Sequence, residues 1–127
     1  MAEFLSSFYT CVYEVVNDHS LDSIISWGKS NISFIIWNLR VLHSKLLSIS
    51  RPSRLPYASI KMFFYDLKYY GFKRVEELKE FGNASFVRGK PELLRKMQRK
   101  SFDKNLRKYQ ANVRAEDATA RLQHLRI

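Results

Sequence analysis

The chain has one cysteine in 127 residues, so no disulfide can close within it. That sets aside the small secreted scaffolds held together by such bridges and suits a reducing compartment. Cys11 lies among Phe8, Val12 and Val15 at helical spacing and reads as a buried structural residue rather than a reactive thiol. The three histidines, His19, His43 and His124, are scattered and share no ligand spacing with Cys11, so no metal site is expected. The four glycines form neither a phosphate-cradling loop nor a nucleophile elbow. The adjacent acidic pairs Glu76-Glu77 and Glu116-Asp117 read as a solvated hairpin tip and a helix surface, not as a catalytic dyad. The expectation is a protein with no catalytic residues, no cofactor and no small-molecule substrate. No uncharged apolar run approaches the roughly 18 residues a membrane helix requires. The stretch Met1 to Val16 contains Glu3 and Glu14 and lacks a basic start and a small-residue cleavage motif. A soluble intracellular protein without a membrane partner is therefore expected.

Apolar residues are plentiful. At 46% hydrophobic and 14% aromatic the chain can build one packed interior, while its length leaves little room for two. Charge is present but lopsided. Residues 1–50 hold Lys29, Arg40 and Lys45 against Glu3, Glu14, Asp18 and Asp22, whereas the remaining 19 basic and 8 acidic residues all follow. A formal charge of +10 concentrated in this way suits a polyanion, either nucleic acid or an anionic membrane surface.

Periodicity gives the order of elements. Phe8, Val12, Val15 and Val16 mark an amphipathic helix over Ser7 to Val16, broken by Asn17-Asp18-His19-Ser20. Ile24 to Trp27 and Ser33 to Trp37 read as strands joined by the turn residues Gly28-Lys29-Ser30-Asn31. Asn38 can cap a second helix carrying Leu42, Leu46 and Leu47, and Ser48 to Pro56 is a loop. A third helix runs from Tyr57 to Tyr70 and ends at Gly71. Phe72 to Val75 and Glu80-Phe81 form a second hairpin around the tip Glu76 to Lys79, with Ser85-Phe86-Val87 returning towards it. Pro91 opens a last helix through Leu94 and Met97.

The third helix has two faces of opposite character. Ile60, Phe63, Phe64 and Leu67 share one side and belong to the core, while Lys61, Tyr65 and Lys68 share another. A helix with an outward cationic face, preceded by a second helix and followed by a basic hairpin, is the layout of a winged helix-turn-helix. The fold class expected is α+β, a three-helix bundle packed on a small antiparallel sheet, with a C-terminal helical extension. In such folds the second helix of the pair enters the major groove, roughly 12 Å wide.

From Phe8 to Lys100 the chain resembles the DNA-binding domain of heat-shock transcription factors. The resemblance rests on Tyr13-Glu14, Ile24 to Trp27, Ser33-Phe34 with Trp37, Leu46-Leu47, Tyr70 to Val75, Glu80-Phe81, Phe86 to Gly89, Leu93-Leu94 and Gln98-Arg99-Lys100, in the family's order and near its spacing. The short stretch Glu76 to Ala84 is similar to the abbreviated wing of the plant branch. The resemblance implies a nuclear transcription regulator of a stress response that binds double-stranded DNA. It places Lys61, Tyr65, Lys68 and Tyr70 nearest the bases, with Lys73, Arg74 and Arg88 on phosphates. Phosphate contacts of this kind supply affinity without reading sequence. Trp27 and Trp37 are expected to be buried between hairpin and helices.

One departure bears on specificity. In place of the family's S-F-V-R-Q-L-N run stands Met62-Phe63-Phe64-Tyr65-Asp66-Leu67-Lys68. The apolar positions persist, but Tyr65 occupies the place of the arginine that contacts guanine in the family. A phenol cannot reproduce the bidentate fork on guanine O6 and N7, which is worth roughly 1–3 kcal/mol of discrimination. Asp66 adds a carboxylate that phosphates would repel, and Lys68 is a point charge. A domain over 7–100 and a basic, partly helical tail over 101–127 are expected. In the tail Phe102, Leu106, Tyr109 and Val113 begin a 4-3-4 seam that Glu116 and Ala120 interrupt. The run Arg95 to Lys100 can serve as a nuclear address or as a phosphate contact. The competing reading is a protein-interaction module, a winged helix that pairs with full-length heat-shock factors and no longer binds DNA specifically.

Overall fold

The computed structural model describes residues 4–47, 54–75 and 79–125, with side-chain surroundings as far as 117. Residues 48–53 of the expected loop and the wing-tip residues Glu76, Glu77 and Leu78 lie outside the described residues, and so do the expectations made for them.

Helix α1, Ser7–Val16, starts where the Ser6 hydroxyl accepts the Phe8 amide. It buries Phe8, Tyr9, Val12, Val15 and Val16, the stripe that its periodicity predicts. A 3-10 turn, His19–Leu21, leads to β1, Ile25–Trp27, and β2, Ser33–Ile36. Asn38 caps α2, Leu39–Val41, by accepting the Val41 amide at 3.1 Å. The helix then widens into a π-helical turn over Leu42–Leu46. A parallel bridge between Leu47 and Leu55 closes the loop that follows. Helix α3, Ile60–Tyr69, opens on Ser59, whose hydroxyl accepts the Met62 amide. It is shorter than its periodicity predicts: Pro56, Tyr57 and Ala58 approach the cap in non-helical conformation.

Strands β3, Lys73–Val75, and β4, Glu80–Gly82, form the wing. The four strands make one antiparallel sheet in the order β1-β2-β4-β3, with Phe34 opposite Phe81 and Phe81 opposite Arg74. The outer strand β3 is exposed throughout and carries Lys73 and Arg74, charges that blunt further pairing at an open edge. Ser85-Phe86-Val87 does not return as a strand. The Asn83 carbonyl and side-chain oxygens accept the Phe86 and Ser85 amides and turn the chain instead. Phe86 is thereby inserted among Trp27, Phe34 and Phe72, with ring centroids between 4.9 and 5.9 Å. Truncating such a ring costs about 3–5 kcal/mol.

The two tryptophans part company. Trp27 is buried, but Trp37 is 60% exposed, with its indole N–H donated to the Ser26 hydroxyl at 2.9 Å. The pleat explains the difference. Phe34 and Ile36 point into the core, so the intervening and following positions, Ile35 and Trp37, face the other side.

After a 3-10 turn at Pro91–Leu93, helix α4 runs unbroken from Leu94 to Leu125. It is more extensive than the partial helix expected of the tail. Leu94 and Met97 are buried against the core, and Gln98 reaches the segment before α1 by accepting the Ser6 amide and donating to the Phe4 carbonyl.

Candidate nucleic-acid interface

The site is built on the two ends of α3. Phe63 and Leu67 are fully buried, and Ile60 and Phe64 are half-buried against the same core. That anchorage turns Lys61, Tyr65 and Lys68 outward; all three are exposed, Tyr65 to 71%. Seven residues of α-helix bring the chain round to within about 20° of its starting direction, so Lys61 and Lys68 share one face. At the C-terminal end Gly71 adopts φ +106°, a conformation that L side chains rarely occupy, and sends the chain straight into β3.

Two residues, Asp66 in α3 and Tyr70 just after it, do not sit as their spacing suggests. Asp66 is half-buried and its carboxylate accepts the Tyr57 hydroxyl at 2.6 Å, so its charge is engaged beside the helix rather than offered to a groove. Burial, and then the Asp66 carboxylate, push the Tyr57 hydroxyl well above the ordinary tyrosine range. Tyr70, expected beside the bases, instead stacks on Phe8 with centroids 4.2 Å apart and meets Tyr9 edge-on at 5.4 Å. Its place just after the last helical turn directs the ring back onto α1. The Tyr9 hydroxyl, donated to the Tyr70 carbonyl at 2.9 Å, is pushed up to about 12, chiefly by burial.

The wing is locked to α3 through Arg74. Its guanidinium lies 5.3 Å from the Phe64 ring centre and 5.7 Å from that of Phe81, a cation over two aromatic faces. Lys73 beside it is exposed. Arg88 is exposed as well, but it lies near the β1–β2 turn, where its backbone amide is donated to the Asn31 carbonyl. Arg54 is held away from the interface in an ion pair with Asp18 at 2.6 Å.

Sequence reasoning did not find the other wall of the site. A cleft of about 780 Å³ lies between α3, the wing and α4, floored by Phe64, Phe72, Phe81 and Met97. Lys68, Lys73 and Arg74 enter it from one side, and Lys100, Lys104 and Lys108 from the other. Lys61, Tyr65 and Arg88 are outside its lining. The three lysines of α4 recur every fourth residue, which lines them up along one helix face. The first of them closes the basic run Arg95 to Lys100; Lys104 and Lys108 were legible only as scattered tail charges. What aligns them with the wing is the docking of α4, where the Ser101 hydroxyl and the Asn105 amide both donate to the Tyr69 carbonyl at 2.9 Å. Among the described residues no group of histidine, cysteine or carboxylate side chains could hold a metal, and no helix is long and apolar enough to cross a membrane.

The arrangement is an α+β winged helix-turn-helix: three helices against a four-stranded antiparallel sheet, with one cationic helix face flanked by a basic wing. Residues 8–100 match the HSF-type DNA-binding family, and the chain belongs to it. It is 40% identical over 97 residues to heat stress transcription factor A-4a of Arabidopsis thaliana, covering 76% of this chain and 23% of that protein. It is 37% identical over 93 residues to heat stress transcription factor A-2a of Oryza sativa subsp. japonica, covering 72% and 24%. Among solved structures, Chaetomium thermophilum Skn7 with HSE DNA is similar at a TM-score of 0.62 and 21% identity, covering 72% of this chain and 97% of that one. The chain thus spans about a quarter of the length of these plant relatives. The family is one of DNA-binding domains rather than of enzymes.

Proposed function

We propose that this domain binds duplex DNA in the nucleus as part of a transcription regulator of the heat-stress type, with strong affinity for the backbone and weak discrimination between sequences. The observation that carries the reading is the outward face of α3, Lys61, Tyr65 and Lys68, set beside a cleft ringed by six cations. In this reading α3 lies in the major groove, and Lys73, Arg88 and the lysines of α4 neutralise phosphates. Arg74 contributes charge from its seat over Phe64 and Phe81. Tyr70 acts indirectly, by fixing the end of α3 against α1. Tyr65 presents a single hydroxyl to the base edges, which limits the energy available for telling one base pair from another.

The test is a titration against inverted GAA-type repeats and a scrambled duplex at several salt concentrations. The expected result is a steep fall of affinity with salt and a small difference between the two duplexes. A large preference for the repeats would show that Tyr65 reads sequence after all. Absence of binding to either duplex at low salt would overturn the DNA reading and leave pairing with full-length heat-shock factors as the role to examine.

A further inference from the structure

The cleft between α3, the wing and α4 combines two features that a duplex cannot use together. The first is charge. Six cations line the cleft and, among the described residues, no carboxylate does. Like charges around one cavity repel one another, and a polyanion removes that cost. On the α4 side Lys100, Lys104 and Lys108 follow at steps of four residues, each step advancing about 6 Å along the helix. That is close to the separation of neighbouring phosphates in an extended single strand, so the row can meet three of them in succession. The second feature is aromatic surface. Tyr69 lines the cleft, is 50% exposed and is braced edge-on by Tyr70 at 5.1 Å. Phe64 is half-buried beneath the Arg74 guanidinium, a planar group on which a base can also stack. The Tyr69 carbonyl accepts both Ser101 and Asn105 of α4, so ring and lysine row are fixed relative to each other before any ligand arrives.

We propose that this cleft binds single-stranded nucleic acid, with one base stacked on Tyr69, the next against Arg74, and successive phosphates on Lys100, Lys104 and Lys108. A duplex presents phosphates and base edges but keeps its base faces in the stack, so it offers the lysines a partner and Tyr69 none. An acidic peptide offers charge without flat rings. A single strand supplies both, and stacking of its bases does not depend on their sequence. The volume of about 780 Å³ holds roughly two nucleotides, the number that three phosphates bracket. The proposal does not rest on α3 entering a major groove, because Lys61 and Tyr65 lie outside the lining of the cleft.

Fluorescence anisotropy of the full chain with thymidine and uridine oligomers of about eight nucleotides, and with an abasic strand of the same length, tests it. A base-bearing oligomer should bind at low salt about fivefold or more tighter than the abasic strand. The tighter of the two oligomers identifies the strand as DNA or RNA. Tyr69→Ala should weaken the oligomer about tenfold and leave the abasic strand unaffected, since the carbonyl that anchors α4 remains. Tyr69→Trp should restore the affinity. Lys104→Ala should lower the slope of log affinity against log salt by about 0.7, the single-strand value, on oligomer and abasic strand alike. Lys61→Ala should weaken duplex binding and leave the single strand bound, which separates a failure of this proposal from a failure of the duplex reading. No binding of either oligomer at low salt, an abasic strand held as tightly as both, or a Tyr69→Ala variant that binds like the wild type would each overturn the proposal. Polyglutamate of equal charge bound as tightly as the oligomers would overturn it in favour of an acidic protein partner.

Discussion

The Tyr57 hydroxyl and the Asp66 carboxylate lie 2.6 Å apart, and this hydrogen bond removes the one acidic side chain of α3 from the surface that faces outward. The bond also ties α3 to the extended segment that leads into its cap. Tyr57→Phe should destabilise the domain by about 1–2 kcal/mol, since it deletes the bond and leaves a half-buried carboxylate without that donor. Thermal melts of the wild type, Tyr57→Phe and the Tyr57→Phe/Asp66→Leu pair would check it. The double variant should recover part of the loss, and a Tyr57→Phe melt identical to wild type would show that the bond contributes nothing.

The lysine row of α4 should act on DNA as charge and not as a reader. Each of Lys100, Lys104 and Lys108 replaced by alanine should lower the slope of log affinity against log salt by about 0.9 if it neutralises one phosphate. The reduction should be the same on repeat and scrambled duplexes. A slope untouched by the triple substitution would confine the interface to α3 and the wing.

Tyr65 is the place to look for selectivity. Being 71% exposed, it can be exchanged without disturbing the core. Tyr65→Arg should raise the preference for GAA-type repeats over a scrambled duplex by roughly 1–3 kcal/mol, the worth of one bidentate guanine contact. Competition titrations at one fixed salt concentration measure this directly. No gain in preference would mean that α3 docks in another orientation.

Stability should fall at both extremes of pH, for two separate reasons. The buried Tyr9 hydroxyl has its pKa raised from 10.0 to about 12, so its contribution is intact below pH 10 and is lost as pH rises towards 12. Asp18 is lowered from 3.8 to about 2, first by hydrogen bonds from Ser20 and then by Arg54, so its contribution holds above pH 3.8 and is lost as pH falls to 2. The acid effect should be small, because the pair is open to solvent. Tyr9→Phe should remove part of the alkaline limb of a melting-temperature profile, with the raised Tyr57 hydroxyl supplying the rest, and Asp18→Asn should flatten the acid limb. A profile unchanged by Tyr9→Phe would mean that another group governs the alkaline side.

Much of the architecture was legible in local patterns. The stripe of α1, the hairpin around Gly28 to Asn31, the Asn38 cap and the positive-φ exit at Gly71 depend on spacing and on the preferences of single residues, which act over a few positions. Where contacts between distant segments compete with local preference, the reading failed. Trp37 was placed inside by its bulk and went outside because Phe34 and Ile36 had already set the pleat. Phe86 was read as strand and became a plug, because the Asn83 turn carries it between two sheet residues and Phe72.

By itself, the order of residues determined the α+β winged-helix arrangement, the two-faced character of α3 and the excess of positive charge after residue 50, all of which follow from periodicity and composition. Only the tertiary structure decided which charges act together. Lys104 and Lys108 join Lys68 and Lys73 because two donors on α4 converge on the Tyr69 carbonyl, and Asp66 withdraws because Tyr57 lies within reach. Pairings of this sort depend on how elements far apart in the chain come to rest against one core, and no local pattern encodes that distance.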